Sequence, residues 1–214
     1  MPMKITKIVP SDWKDLQDKV CKFLNEAGYP SESPKEIETV RGKIEVDVFS
    51  KTENEILRQF ICECKFWNAP VPKEKVHAFR SVVSDSGSML GIIISKNGFQ
   101  SGAYEAANCT NVLLKSWDEF ICLIDKQWIK EQYKRIKTLA HCLGVYTDHL
   151  DVPFEKLTEE KKRKYISITT TYLRPYLAFR ELEYKRIIEI DSITVNGDSF
   201  DAIDNLFLYF EKVF

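Results

Sequence analysis

The chain has 214 residues, 44% hydrophobic and 29% charged, enough to bury one good core or one core plus an appendage. No apolar run approaches the roughly 18 residues of a membrane span, and the N-terminal MPMKITKIVPSDW lacks the apolar stretch of a secretory signal, so a cytoplasmic protein without membrane contact is expected. The net charge of −1 neither demands nor excludes nucleic acid, but it is uneven: residues 127–180 carry 11 Lys/Arg against 6 Asp/Glu, and residues 181–214 carry 3 against 8.

Ser11 is a plausible N-cap, and Trp13, Leu16, Val20, Phe23, Leu24 and Ala27 follow at helical spacing until Gly28. A short extended piece near Ile37–Val40 reaches the turn Arg41-Gly42. In Lys43–Phe49, Ile44, Val46 and Val48 alternate with Glu45 and Asp47, which predicts one strand with an apolar and a polar face. Lys51–Glu55 reads as a polar loop and Ile56–Trp67 as a second, long strand. Lys73–Ser84 reads as a helix with Val76, Phe79, Val82 and Val83 as its apolar stripe. MLGIIIS, Met89–Ser95, has the continuous apolarity of a central strand. Phe99–Asn108 reads as helical, Val112–Leu114 as a short strand, and Asp118 caps a long helix reaching about Leu143. Beyond that, Leu157–Ser167 looks helical with the basic run Lys161–Lys164, which suits either a phosphate backbone or plain solvent. Ile187–Val195 and Ser199–Ile203 flank the hairpin signal Asn196-Gly197, and Leu206–Phe214 closes as a helix. The expected fold class is α/β: a mixed sheet flanked by helices over residues 1–144, with a C-terminal α+β accessory region, residues 145–214, packed on it.

The stretch FICECKFW, Phe60–Trp67, places an acid and a lysine inside an apolar run. Strand alternation puts Phe60, Cys62, Cys64 and Phe66 on one face and Glu63, Lys65 and Trp67 on the other. Of the six cysteines, Cys62 and Cys64 offer half a zinc site, but no second closely spaced pair accompanies them, so free buried thiols are expected. Asp47 lies 16 residues before Glu63; if their strands form a hairpin, the two acids fall nearly opposite. Converging carboxylates repel unless a cation lies between them, and a hard ion, Mg²⁺ or Mn²⁺, prefers such oxygen donors. Lys65 would stand beside that ion, about 7 Å further along the strand, where it can offset charge on a phosphate or help deprotonate water. Among the remaining residues, His77 reads as a partly buried histidine and Trp67 as a packing lid. Ser95, Asn97 and Gln100 flank the end of the central strand, and His141 and His149 have no evident partner.

GKIEVD (Gly42–Asp47), Glu63-Cys64-Lys65-Phe66-Trp67, the following helix and GIIISKNGFQSGAYEAA (Gly91–Ala107) together resemble the Mrr-like restriction endonuclease domain of the PD-(D/E)xK phosphodiesterase superfamily. The resemblance covers about residues 12–117 and rests on several spaced motifs. It implies a restriction-endonuclease-like fold and metal-dependent cleavage of DNA, in bacterial restriction or phage defence. Asp47 matches the superfamily's strand aspartate, Glu63 its second acid and Lys65 its lysine. The resemblance makes the backbone carbonyl of Cys64 a further metal ligand. Val46 replaces the proline of the nominal motif, and Gln17 stands where many relatives carry a glutamate on the first helix. Glu45, on the strand face of Asp47, is the nearest other acid, though no obvious replacement.

The expected function is thus a Mg²⁺- or Mn²⁺-dependent endodeoxyribonuclease, with Asp47, Glu63 and Lys65 catalytic and Asp47, Glu63 and Cys64 holding the ion. Gln17 and Glu45 are its supporting candidates. DNA is the expected partner, together with a second copy of the chain or another subunit of a defence system, since cutting both strands takes two sites. A second reading stays open at this point, a weak or inactive nuclease-fold module that binds DNA or protein.

Overall fold

In the computed structural model, residues 3–53, 57–144, 153–184 and 191–214 are described. They form two compact units, Ile8–Glu131 and Met1–Lys7 with Gln132–Phe214. The expected accessory region, residues 145–214, belongs to the second unit, which also takes residues 132–144.

The larger unit opens with α1 (Trp13–Glu26), capped by Asp12, whose side chain accepts from the Asp15 amide. Its stripe of Leu16, Val20, Phe23 and Leu24 is buried, a contribution of roughly 1.5–3 kcal/mol for each such side chain. At Gly28 φ is +81°, a conformation that glycine adopts without penalty, and the helix stops there. Five strands then make one sheet in the order β1-β4-β5-β6-β7: β1 (Ser31–Glu32), β4 (Val48–Lys51), β5 (Gln59–Lys65), β6 (Leu90–Ser95) and β7 (Val112–Ser116). β1, β4 and β5 pair antiparallel, whereas β5, β6 and β7 run parallel. Between β1 and β4 the chain makes a separate antiparallel hairpin, β2 (Lys35–Thr39) and β3 (Gly42–Val46).

Parallel neighbours need crossover connections, and α2 (Lys73–Asp85) and α3 (Ser101–Ala107) supply them. Both connections step the same way across the sheet, so their right-handedness puts both helices on one face. There Val76, Phe79, Val83, Ala103 and Ala106 pack with Ile61, Ile93 and Val112. Gly91 is where α2 comes closest: a Cβ there would stand 2.5 Å from Val83 Cγ2 and 2.7 Å from Phe79 Cε1. α1 packs on β4 and β5, and its Phe23 meets Trp117 and Trp128 of α4 (Trp117–Ala140) at centroid distances of 5.9 and 6.2 Å.

One strand expectation fails in an informative way. Lys43–Phe49 is not a single strand: β3 ends at Val46, β4 begins at Val48, and Asp47 stands at the join between two sheets. Val48 pairs directly with Cys62 and shares its face, while Val46 packs in the opposite cluster with Ile61. An unbroken alternation would put both valines on one side; the bend at Asp47 lets each find a different core.

In the second unit, the C-terminal part of α4 is followed by a turn of 3₁₀ helix, His141–Leu143. The unit contains α5 (Glu159–Tyr184), the hairpin β8 (Ile193–Val195) and β9 (Asp198–Phe200), and α6 (Ile203–Val213). The hairpin turns at Asn196 and Gly197 with φ of 54° and 93°, the geometry that Asn-Gly favours. α5 runs 17 residues past the Ser167 at which the sequence reading stopped, because Tyr165, Phe179 and Leu182 keep one buried stripe. Residues 54–56, the start of the strand expected at Ile56, lie outside the described residues, as do His149 and residues 187–190 of the strand expected over Ile187–Val195. Among the described residues, no helix is long and apolar enough to cross a membrane.

Candidate active site

The site forms where the sheet changes from antiparallel to parallel. The ladder between β4 and β5 ends at the pair Val48–Cys62, whereas the ladder between β5 and β6 continues to Lys65–Ser95. The last residues of β5 therefore have a partner strand on one side only, and a gap opens at the other edge. Continuing the β4–β5 register by one step sets Asp47 across from Glu63, the juxtaposition expected from the sequence.

Asp47 fills that gap. Its Oδ2 accepts the backbone N–H of Cys64 at 2.7 Å, and its Oδ1 accepts the side-chain amide of Gln17 at 3.2 Å. Within a strand the N–H and C=O of one residue point the same way, and neighbours alternate. Lys65 C=O accepts from Lys96 N–H at 3.0 Å on the β6 side, so the Cys64 carbonyl points to the opposite edge, with Asp47. Burial pushes the Asp47 carboxyl above its usual range, and the nearby charge of Glu63 pushes it further; the Cys64 amide, Lys65 and Gln17 pull the other way. Glu63 and Lys65 project from the same face of β5 and form an ion pair, both part-buried. The Lys65 ammonium also lies 5.2 Å from the centroid of Trp67. Asp47, Glu63, Lys65, Gln17 and the Cys64 backbone are thus brought together.

Gln17 sits in the buried stripe of α1 and is 1% exposed. A buried amide needs partners, and it has two: Nε2 donates to Asp47, and Oε1 accepts from Lys14 Nζ at 3.1 Å. Lys14 also pairs with Asp18 at 2.9 Å. Glu45 is elsewhere, exposed in β3 opposite Glu36, and is not among the partners of Asp47.

The thiols fall out of the chemistry. Cys62 and Cys64 are free and buried, on the face opposite Glu63, and burial raises both well above the usual thiol range, which holds them protonated. Among the described residues, no group of three or more His, Cys, Asp and Glu converges as a metal cluster. The available donors are therefore two carboxylates and a backbone carbonyl, all oxygen. That set suits a hard divalent ion which keeps several waters.

Of the secondary candidates, Ser95 is buried and its hydroxyl donates to Gly98 O at 2.9 Å, so it faces inward. Asn97 and Gln100 are exposed; His77, expected to be partly buried, is exposed as well. Trp67 is 37% exposed and acts as a wall for Lys65 rather than as a lid. Sequence reasoning missed Lys14 and Lys96. Lys96 lies 4.4 Å from the Phe66 ring and donates to Asn68 Oδ1 at 3.2 Å. Lys14 carried a signal, being three residues before a glutamine set in an apolar helix stripe; Lys96 carried none.

The profile of the Mrr_cat family, described as restriction endonuclease, matches residues 9–124. Among solved structures, one described as "Protein of Unknown Function AF1548" is 18% identical, with 73% of this chain and 96% of that chain covered and a TM-score of 0.44. The DNA modification-dependent restriction endonuclease AspBHI is 12% identical, with 63% of this chain and 45% of that chain covered and a TM-score of 0.28. No curated protein matches the sequence.

Proposed function

Because the chain belongs to the Mrr_cat restriction endonuclease family, we propose that it is a metal-dependent endodeoxyribonuclease acting at Asp47, Glu63 and Lys65. The observation that carries the reading is the placement of Asp47 at the open edge of β5, bonded to the Cys64 amide and within the field of Glu63. Asp47, Glu63 and the Cys64 carbonyl hold Mg²⁺ or Mn²⁺. When bound, that ion polarises the phosphoryl oxygen and lowers the pKa of a coordinated water. Gln17 fixes the rotamer of Asp47 through Oδ1, so the carboxylate is positioned before any ligand arrives. Lys65, paired here with Glu63, would offset charge on the phosphate once that carboxylate served an ion. Trp67 limits where the freed ammonium can go.

The residues that touch a phosphodiester do not read its sequence, so target choice falls to the rest of the chain, to a second copy or to a partner subunit. Cutting both strands asks for two such sites, which a symmetric dimer supplies. A role in restriction of foreign DNA in the cytoplasm accords with the family. The alternative, a nuclease-fold module that binds without cutting, draws on the neutral Gln17, which adds no charge for a second ion.

The test is cleavage of supercoiled plasmid with Mg²⁺ or Mn²⁺ by the wild type, Asp47→Ala and Lys65→Ala, with single-stranded RNA as a parallel substrate. The wild type nicks or linearises DNA, and each variant loses on the order of 100-fold or more in rate. Variants that cut like the wild type would place the chemistry elsewhere. A wild type silent with every metal would leave the binding module standing.

A further inference from the structure

The second unit carries a charge feature that the site does not use. Over Lys161–Arg180 the sequence KKRKYISITTTYLRPYLAFR holds six cations, four Ser/Thr and no acid. All twenty residues lie within one helix, α5. Tyr165, Phe179 and Leu182 bury one side of it, together with Pro175. At about 100° per residue, Arg163, Lys164, Ser167, Thr170, Thr171 and Arg174 fall within one arc of about 120° beside that buried side, all exposed. Several cations of this unit are neutralised: Arg135 holds Glu211 through two hydrogen bonds of 2.7 and 2.8 Å, Lys162 pairs with Glu159 at 2.9 Å, and Lys7 pairs with Asp201. Among the described residues, Lys161, Arg163, Lys164 and Arg174 have no acidic partner.

Unpaired cations separated only by hydroxyls make a polyanion surface, because Lys and Arg neutralise phosphates and Ser and Thr hydroxyls donate to their oxygens. Arg163 and Arg174 are separated by about 16 Å of helix rise, long enough to meet more than one phosphate of a strand. An α-helix of this width also enters the major groove, about 12 Å wide, of duplex DNA. We propose that this exposed arc of α5 is the sequence-independent DNA grip of this protein, with Arg163, Lys164 and Arg174 on phosphates. The inference rests on the nuclease reading only in taking DNA as the polyanion. It assigns binding to α5 and leaves chemistry to Asp47, Glu63 and Lys65.

The experiment uses the full-length protein in EDTA, where no cutting interferes, and a fluorescent duplex of arbitrary sequence titrated across a range of salt. Each phosphate contact contributes about 0.9 to the slope of log K against log salt. Replacing Arg163, Lys164 and Arg174 by Gln therefore makes the slope shallower by about 3 and weakens binding on the order of 100-fold near 0.1 M salt. The charge-preserving pair Arg163→Lys and Arg174→Lys keeps most of the wild-type slope, and equal helical circular dichroism in all variants shows that folding is not the cause. An unchanged slope in the triple Gln variant overturns the proposal, and so does a wild type that ignores duplex DNA but binds polyglutamate or anionic vesicles. Lost plasmid cleavage with an intact α5 salt slope would sink the nuclease reading alone, and the converse result would sink only the grip.

Discussion

The sharpest perturbation of the site is Gln17→Glu, which restores an acid where the helix of many relatives has one. Gln17 Nε2 donates to Asp47 Oδ1 at 3.2 Å, so the substitution exchanges a charge-assisted hydrogen bond for two facing carboxylates. Losing the bond costs about 1.5–3 kcal/mol. Two charges at that separation repel by about 5 kcal/mol at an effective dielectric near 20, and the partial exposure of Asp47 cuts this to about 2 kcal/mol. Lys14, now 3.1 Å from Gln17 Oε1, would pair with the introduced carboxylate and offset roughly 1 kcal/mol. The net expectation is a loss of about 3 kcal/mol at pH 8 in EDTA, seen as a fall of roughly 6–12 °C in the melting temperature of the larger unit. Two further arms give the result its meaning. At pH 5 the facing carboxyls share a proton and the deficit shrinks below about 1 kcal/mol. Millimolar Mg²⁺ at pH 8 stabilises the variant more than the wild type, since the added charge favours the ion and ligand binding adds to stability. A variant as stable as the wild type in EDTA at pH 8 would refute the Gln17–Asp47 contact. A variant that Mg²⁺ fails to rescue would refute the metal assignment of Asp47.

Asp47→Asn tests the electrostatics directly. Burial and Glu63 raise the Asp47 carboxyl in the native state, which therefore binds that proton more tightly than the unfolded chain does. The stability this adds is fully present below about pH 4, the unfolded range, and is lost as pH rises through the raised native pKa. The Asn variant should lack that component of the pH dependence, so urea titrations from pH 4 to 8 should show it gaining on the wild type; parallel curves would contradict the raised carboxyl. Trp67→Ala removes the ring beside Lys65 and a contact of about 0.5–1 kcal/mol, so cleavage should slow roughly 2- to 5-fold, with Trp67→Phe near wild type in the plasmid assay. Gly91→Ala drives a methyl into Val83 and Phe79 and should cost about 1–3 kcal/mol in urea unfolding; a neutral result would mean that α2 is free to move away from β6.

Periodicity located α1, β5, α2, β6, α3 and β7 because each carries its own apolar signature, and the parallel or antiparallel sense of each pair follows from loop length. It failed at Asp47 because the alternation Ile44-Glu45-Val46-Asp47-Val48 is locally indistinguishable from one strand. Whether such a segment bends depends on what each valine can bury against, and Ile61 and Cys62 on opposite faces of β5 decide that from 14 and 15 residues away. The carboxylates themselves were legible, since acids on adjacent strands with a short connection must lie close. The partners of Asp47 were not. The Cys64 amide is a backbone donor that no residue type announces, and Gln17 reaches the site from a helix 30 residues upstream. The end of α5 was missed because the helix runs through Thr170, Thr171 and Pro175, residues of poor helix propensity that the burial of Tyr165, Phe179 and Leu182 overrides.

The tripeptide Glu63-Cys64-Lys65 gains its meaning from the sheet rather than from its letters. In a strand paired on both sides, the Cys64 amide and carbonyl would be consumed by the ladder, and Glu63 and Lys65 would neutralise each other on a face. Here β4 stops at Val48, so the Cys64 backbone polar groups face an open edge. A buried N–H requires an acceptor, and Asp47 supplies it from the join where the chain passes from the β2-β3 hairpin back into the main sheet. That bond draws a carboxylate toward Glu63 at an electrostatic cost visible in the raised Asp47 carboxyl. On the proposed reading, a cation would relieve the cost by neutralising both acids and would free Lys65 from its ion pair. The strand switch, on that reading, thus yields a site whose electrostatic cost a bound ion would release, and whose lysine that ion would make available.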